Sequence, residues 1–371
     1  MPNIFIIVQL GCKRVEVRSC VEHKLTRPLS PLRFVRQPTG VLNNYTLFMK
    51  NSKLIQLAQT ANVNGQSKLT WLYEPLVFVY AVVSLFVVSM IFMLPIVFYM
   101  MFSAGVNPLE LEKLITSPQS PSLAFGILFS SFIGIYLAVW GWLWLMERRP
   151  YYTLGLERKG AVWQYVRGLL IGIGFLLLVT GILAMMGMVA WESPFQGLSS
   201  RVLIGVGLLF LGFVVQGAAE EVLVRGFLLP ILARRYSIWT SIIVSSLFFA
   251  ILHLLNPNLS LIAVLNLFLA GVFFAVYALK EGSLWGACGV HTTWNWTMGH
   301  ILGFEVSGSS FGGPDSILFD LKETGPDWIT GGMFGPEGGV VVTVIIVLAT
   351  VFIYSRPTTE GDNQILNGEA V

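Results

Sequence analysis

Two adjacent carboxylates and a guanidinium, Glu220, Glu221 and Arg225, sit inside an apolar run that begins near Val202 and continues to Leu232. A helix through that run carries three ionisable groups to membrane depth. An unpartnered charge there costs several kcal/mol, from roughly 2.5 upward, so such a placement is functional by default. Glu221 and Arg225 are four apart and share a helix face, where they can neutralise each other. Glu220 points about 100° away from Glu221 on an ideal helix and has no obvious local partner. It is the residue that requires an explanation.

Phe249 and His253 are four apart on a second apolar segment, and His291 and Asn295 are four apart on a third. His300 lies further along, off that ladder. Counting helical rise from the basic ends of the segments, Glu220 and His253 come out at roughly 21 and 22 Å, with His291 and Asn295 at roughly 12 and 18 Å. The four groups can therefore converge on one cavity. A single buried His or Asn in a bundle is most often interhelical glue, and an i,i+4 Glu–Arg pair is commonly structural, the role expected for Glu221 with Arg225. An extra carboxylate, two imidazoles and a carboxamide at similar depth point instead to a site.

A carboxylate beside an imidazole in a dry pocket can hold and deprotonate a water. An imidazole N–H and an amide one helical turn away form a two-donor site for the oxyanion of a tetrahedral intermediate. Together they would hydrolyse an amide without a covalent nucleophile. A serine mechanism lacks a GxSxG elbow. A cysteine mechanism through Cys288, three residues before His291, leaves Glu220 and His253 without a role. Glu and two His could ligate zinc, but no HExxH is present; zinc is disfavoured and no cofactor is expected.

The elements that must position these groups are membrane helices. Of 371 residues, 55% are hydrophobic and 12% charged, against roughly 25% charged in soluble domains, and the mean hydropathy is +0.72. The expected fold class is all-α, a polytopic membrane bundle of about eight transmembrane helices, near 74–102, 123–146, 166–190, 202–233, 238–255, 259–279, 283–303 and 339–355. The run 202–233 would be roughly 48 Å long as a straight helix, so it must tilt or break, with Gly212, Gly217, Gly226 and Pro230 as the weak points. The paired glycines Gly172 and Gly174 read as helix-packing positions.

Lys50, Lys53 and Lys68, Arg148, Arg149, Arg158 and Lys159, Arg234 and Arg235, Lys280, and Arg356 all fall on one side, which places both termini in the cytoplasm of a multi-pass cell-membrane protein. Acidic residues dominate the other side, above all in the Gly-rich loop 305–338, whose aromatic content predicts an ordered structure. The organisation expected is a weakly ordered extension over 1–70, N-terminal membrane helices over 71–200, a catalytic core over 201–304, that loop, and a last helix with a cytoplasmic tail over 339–371. Met49 is an alternative start. Cys12, Cys20 and Cys288 show no zinc or disulfide spacing, and nothing suggests nucleic-acid binding.

Glu220-Glu221-x-x-x-Arg225, Phe249-x-x-x-His253 and His291-x-x-x-Asn295, in this order on three helices, resemble the motifs of the type II CAAX prenyl endopeptidase and bacteriocin-processing family of intramembrane proteases. The stretch from Thr330 to Gly338 also looks like a bacterial branch of it. The resemblance implies that Glu220 activates water with His253 as its partner, that His291 and Asn295 form the oxyanion site, and that Glu221 and Arg225 charge-balance the pocket. It implies a membrane-associated or lipidated peptide or protein as substrate, although the family has long been described as metalloproteases. Two readings compete with it. One is a non-catalytic peptide-binding or bacteriocin-immunity protein using the same cavity. The other is a transporter, against which the lack of inverted repeats counts.

Overall fold

The computed structural model describes residues 49–59, 70–103, 105–193, 195 and 198–356. Most of the extension expected over 1–70, with Cys12 and Cys20, and the tail after Arg356 lie outside them. The first described element is a short helix, α1 (Lys53–Gln59), which buries Leu54, Ile55 and Ala58. It is tied down by the Ser52 hydroxyl donating to the Leu279 carbonyl (2.6 Å) and by Arg234 donating to that of Ala58 (2.8 Å). This part of the expected weakly ordered stretch is therefore folded onto the ends of later helices.

The chain continues through α2 (Leu72–Phe102), the short α3 (Pro108–Thr116), α4 (Pro121–Glu147), α5 (Ala161–Met185), α6 (Ser200–Ala233), α7 (Ile238–Leu252) and α8 (Leu261–Glu281). It ends with α9 (Trp285–Trp296, extended by a π turn over Thr297–Ile301) and α10 (Val340–Ser355). Among the described residues, α2, α4, α5, α6 and α8 are long and apolar enough to cross a membrane, and α7 and α10 are shorter apolar helices. Each apolar run found in the sequence is thus a helix, and the molecule is an all-α membrane bundle. The helices begin where serines can accept from free backbone N–H groups: Ser199 caps α6, Ser237 caps α7 and Ser260 caps α8. Large apolar side chains such as Met90, Leu94 and Phe98 stand exposed on α2, as lipid-facing residues would.

The long run over 202–233 does not break. α6 is continuous from Ser200 to Ala233, and its turn widens to π geometry over Val222–Leu228, directly after the paired glutamates. Such π segments are frequent at functional sites. Gly217 and Gly226 serve close approach instead of a break. A Cβ on Gly217 would lie 2.9 Å from the Thr292 backbone nitrogen, and one on Gly226 would lie 2.9 Å from the Leu154 carbonyl oxygen.

A two-stranded antiparallel ladder departs from the all-helical expectation: β1 (Val189–Trp191) pairs with β2 (Leu321–Glu323) and ties the loop after α9 to the end of α5. The loop is further stitched to the bundle. The Asn266 amide of α8 donates to the carbonyls of Glu337 (2.8 Å) and Gly339 (2.9 Å), and the His300 ring donates through Nδ1 to the Ser316 carbonyl (2.8 Å).

The helix that carries His291 and Asn295, α9, is seated against α5 through small residues on both sides. A Cβ on Gly172 would come within 2.5 Å of the Val290 carbonyl oxygen, and one on Gly289 within 2.3 Å of that of Tyr165, whereas Gly174 faces open space. Only the first of the paired glycines therefore packs. Gly172→Ala is expected to push α9 away from α5 at a cost of about 1–3 kcal/mol, read as a lowered melting temperature in detergent. Gly174→Ala is expected to be neutral or slightly stabilising. Equal melting temperatures for the two variants would contradict this account of the packing.

Candidate functional site

Glu220 and Glu221 leave the turn of α6 that immediately precedes its π segment. Being neighbours, they diverge. Glu221 is fully buried, and its Oε1 accepts from Arg225 Nη1 (2.9 Å) and from His291 Nδ1 (2.9 Å). Arg225, also fully buried, donates through Nη2 to the Gly271 carbonyl (3.2 Å). Its guanidinium carbon lies 4.4 Å from the centre of the Phe249 ring and 5.4 Å from that of Phe274. A dry cation is thereby held by one carboxylate, one carbonyl and two aromatic faces.

Glu220 turns toward a cavity of about 290 Å³. The absence of a local partner expected from its helical position is corrected by the structure: Gln216, one turn earlier, donates to Glu220 Oε1 at 2.6 Å. Glu220 Oε2 is buried without a hydrogen-bond partner, 3.7 Å from His291 Nε2 and 4.0 Å from His253 Nε2. Both imidazoles are fixed from behind. His291 donates through Nδ1 to Glu221, with its ring stacked on Phe274, and His253 donates through Nδ1 to the Phe249 carbonyl at 2.8 Å. His253 caps the C-terminus of α7, where the chain leaves helical geometry. Phe249 is thus used twice, its ring beneath Arg225 and its carbonyl orienting His253.

Asn295 lines the same cavity, and its Nδ2 donates to Gln216 Oε1 at 2.9 Å. The four residues singled out by spacing, Glu220, His253, His291 and Asn295, are brought together around one space, with Glu221, Arg225 and Phe249 behind them. His300 is turned away to hold Ser316. Cys288 is fully buried and is not among the residues that line the cavity.

Spacing alone did not single out Gln216, Asn256, Asn266, Ser307 or Glu337, all of which line the cavity. Gln216 carried a signal, since it lies four residues before Glu220 on the same apolar helix. Glu337 carried almost none, because nothing in the loop 305–338 says which part folds back over the bundle.

Donor distances bear on zinc. Around a tetrahedral ion with bonds of about 2.0 Å, ligand atoms lie about 3.3 Å apart, whereas Glu220 Oε2 is 3.7 and 4.0 Å from the two imidazole nitrogens. Among the described residues no three His, Cys, Asp or Glu side chains are grouped to hold a metal ion. As arranged, these donors stand wider apart than a tetrahedral zinc ion would hold them.

A multi-pass helical bundle thus gathers a carboxylate, two imidazoles and a carboxamide in one buried cavity. Residues 202–297, about a quarter of the chain, match the family described as type II CAAX prenyl endopeptidase, Rce1-like. The match spans all three motifs and bears out the resemblance. The family description names an endopeptidase and no metal. No curated protein and no solved structure matches the chain.

The buried Glu221–Arg225 pair leads to a stability prediction. Arg225→Met, which strands a buried carboxylate, is expected to cost about 3–5 kcal/mol, and adding Glu221→Gln to recover most of it. Thermal unfolding in detergent of the two single variants and the double variant measures this. Additive losses would mean that the pair is not coupled.

Proposed function

We propose that the chain is a glutamate-dependent intramembrane endopeptidase that hydrolyses a peptide bond of a membrane-associated or lipidated, CAAX-like protein or peptide. The observation that carries this reading is Glu220 Oε2, held by Gln216 at the other oxygen and facing two imidazole nitrogens at 3.7 and 4.0 Å. A water placed between the carboxylate and an imidazole is the proposed nucleophile.

In the proposed reaction Glu220 takes a proton from that water as its oxygen attacks the scissile carbonyl carbon. His253 holds the water's second side. The carbonyl electrons move onto oxygen, and donors from His291 Nε2 and the second N–H of the Asn295 amide receive the oxyanion. When the C–N bond breaks, the proton held by Glu220 passes to the leaving amine, so base and acid are one group and the balance closes. Because His291 Nδ1 already donates to Glu221, donation from Nε2 requires the ring to carry both protons. Glu220 and Glu221 supply the compensating charge beside Arg225. Glu221 and Arg225 therefore act by orientation and charge balance, without touching substrate.

The cavity walls support an apolar substrate segment, since Leu85, Phe132, Phe175 and Phe213 line it from α2, α4, α5 and α6. The basic segment ends support a cell-membrane orientation with both termini cytoplasmic.

The test is cleavage of a panel of membrane-anchored and prenylated peptides by purified wild type and Glu220→Ala in detergent, with and without a chelator. The expected result is cleavage by the wild type, a loss of at least about 10³-fold in Glu220→Ala, and resistance to chelator. Loss of activity with chelator would move the chemistry to a metal. A wild type that binds but never cleaves, with Glu220→Ala binding equally well, would make the cavity a peptide-binding or immunity site.

A further inference from the structure

The family match ends at residue 297, yet the cavity does not. Its wall is completed by residues of the loop between α9 and α10, including Ser307, Phe311 and Glu337. Glu337 is the only carboxylate besides Glu220 among the cavity-lining residues. Ser307 donates its hydroxyl to Glu337 Oε1 (2.5 Å), and the Trp294 indole N–H donates to Oε2 (3.2 Å).

Both partners lead directly to the proposed catalytic groups. Trp294 precedes Asn295 and lies three residues after His291 on α9. Ser307 accepts at its carbonyl from the Asn256 amide (3.1 Å), and the Asn256 backbone N–H donates to the His253 carbonyl (3.0 Å). The Glu337 backbone is itself pinned to α8, its carbonyl accepting from the Asn266 amide at 2.8 Å. The Asn266 oxygen in turn accepts from the Thr343 hydroxyl of α10 at 2.6 Å. A single side chain thus closes a circuit that runs from His253 through Asn256 and Ser307 to Trp294 and Asn295.

We propose that Glu337 is a positioning residue of the reaction, a clamp whose two hydrogen bonds hold the His253 turn at the end of α7 in register with the His291 and Asn295 face of α9. The proposal rests on the hydrolytic reading of the site and adds to it a residue from outside the family-matched segment. A clamp has work to do because His253 is the C-cap of its helix, held from its own side by its backbone N–H on the Ala250 carbonyl (3.1 Å) and its Nδ1 bond to the Phe249 carbonyl, with α9 across the cavity from it. Burial raises the Glu337 carboxyl above its ordinary value, with the Ser307 and Trp294 hydrogen bonds pulling the other way. The link therefore does not depend on a full negative charge, and a carboxamide of the same shape can replace it. Its carbonyl accepts from Trp294, its NH₂ donates, and the Ser307 hydroxyl turns to accept.

The experiment compares wild type, Glu337→Ala, Glu337→Gln and Ser307→Ala in detergent, by steady-state cleavage of the same anchored peptide and by amide hydrogen exchange of the segments 253–258 and 305–311. In Glu337→Ala the expected result is a kcat lowered about 10- to 100-fold with KM within about twofold, since misplacement of reacting groups costs rate before binding. Exchange should rise in both segments together. Ser307→Ala should show the same pattern more weakly, and Glu337→Gln should recover kcat to within about threefold of wild type. Wild-type kcat in Glu337→Ala would overturn the proposal while leaving the hydrolytic reading intact. Equal inactivity of Glu337→Ala and Glu337→Gln with unchanged exchange would also overturn it, by making Glu337 a reacting acid. A wild type that cleaves nothing sinks the hydrolytic reading instead, and exchange in Glu337→Ala then still decides whether the clamp exists. Unchanged exchange in both segments would show that it does not.

Discussion

The structure depends on one carboxylate shared by a guanidinium and an imidazole in a dry interior. Glu221 Oε1 accepts from both Arg225 and His291 at 2.9 Å. Removing any member leaves the others with an unmet charge or hydrogen bond, which is costly where no water can substitute. The interaction therefore fixes more than an ion pair. It joins α6 to α9, it sets which ring nitrogen of His291 faces the cavity, and it holds Arg225 where its guanidinium covers Phe249. Phe249 in turn orients His253 through its carbonyl. The supporting residues assemble the reacting ones from behind, and Glu220 is left as the carboxylate that faces open space.

That arrangement is possible because neighbouring residues on one helix must diverge. On a regular α-helix Glu220 and Glu221 cannot both reach the same partner. One is committed to the bundle and the other to the cavity. The π segment that follows adds to the separation. By widening the turn over Val222–Leu228 it carries Arg225 inward, toward the Gly271 carbonyl on α8, while all seven of its residues stay buried. Glycine does the complementary work where helices must touch. Gly217 admits the α9 backbone at Thr292, and Gly172 admits it at Val290, so α9 is gripped from two sides close to His291 and Asn295.

How much of this could be read from the sequence follows from which interactions are local. The eight apolar runs, the Glu221–Arg225 pairing and the face shared by His291 and Asn295 are consequences of spacing along one helix, and the structure reproduces them. Depth counting brings Glu220 and His253 level with His291 and Asn295 somewhat shallower, and all four line one cavity. What spacing could not show is what a side chain does with its second hydrogen-bonding group. Gln216 was visible on the same helix as Glu220, but its bridging of Glu220 to Asn295 depends on how α6 and α9 are rotated against each other. The length of α6 requires a tilt or a break, and the helix runs unbroken.

Residues after the matched stretch were illegible for a different reason. Helical periodicity encodes a direction, inward or outward, for every side chain of a membrane span. A glycine-rich loop encodes none, since its path is set by contacts made only after the bundle exists. Glu337 is positioned by the Asn266 amide on its carbonyl and by the hydrogen bonds its carboxylate accepts, from partners distant in sequence. The motifs of the core therefore carry the proposed reacting groups, while part of the cavity wall is supplied by a segment whose fit to the core has to be read in three dimensions. The family-matched segment carries the proposed reacting groups and does not by itself enclose them: α2, α4 and α5 contribute Leu85, Phe132 and Phe175 to the same cavity from before the match, and the loop contributes Ser307, Phe311 and Glu337 from beyond it.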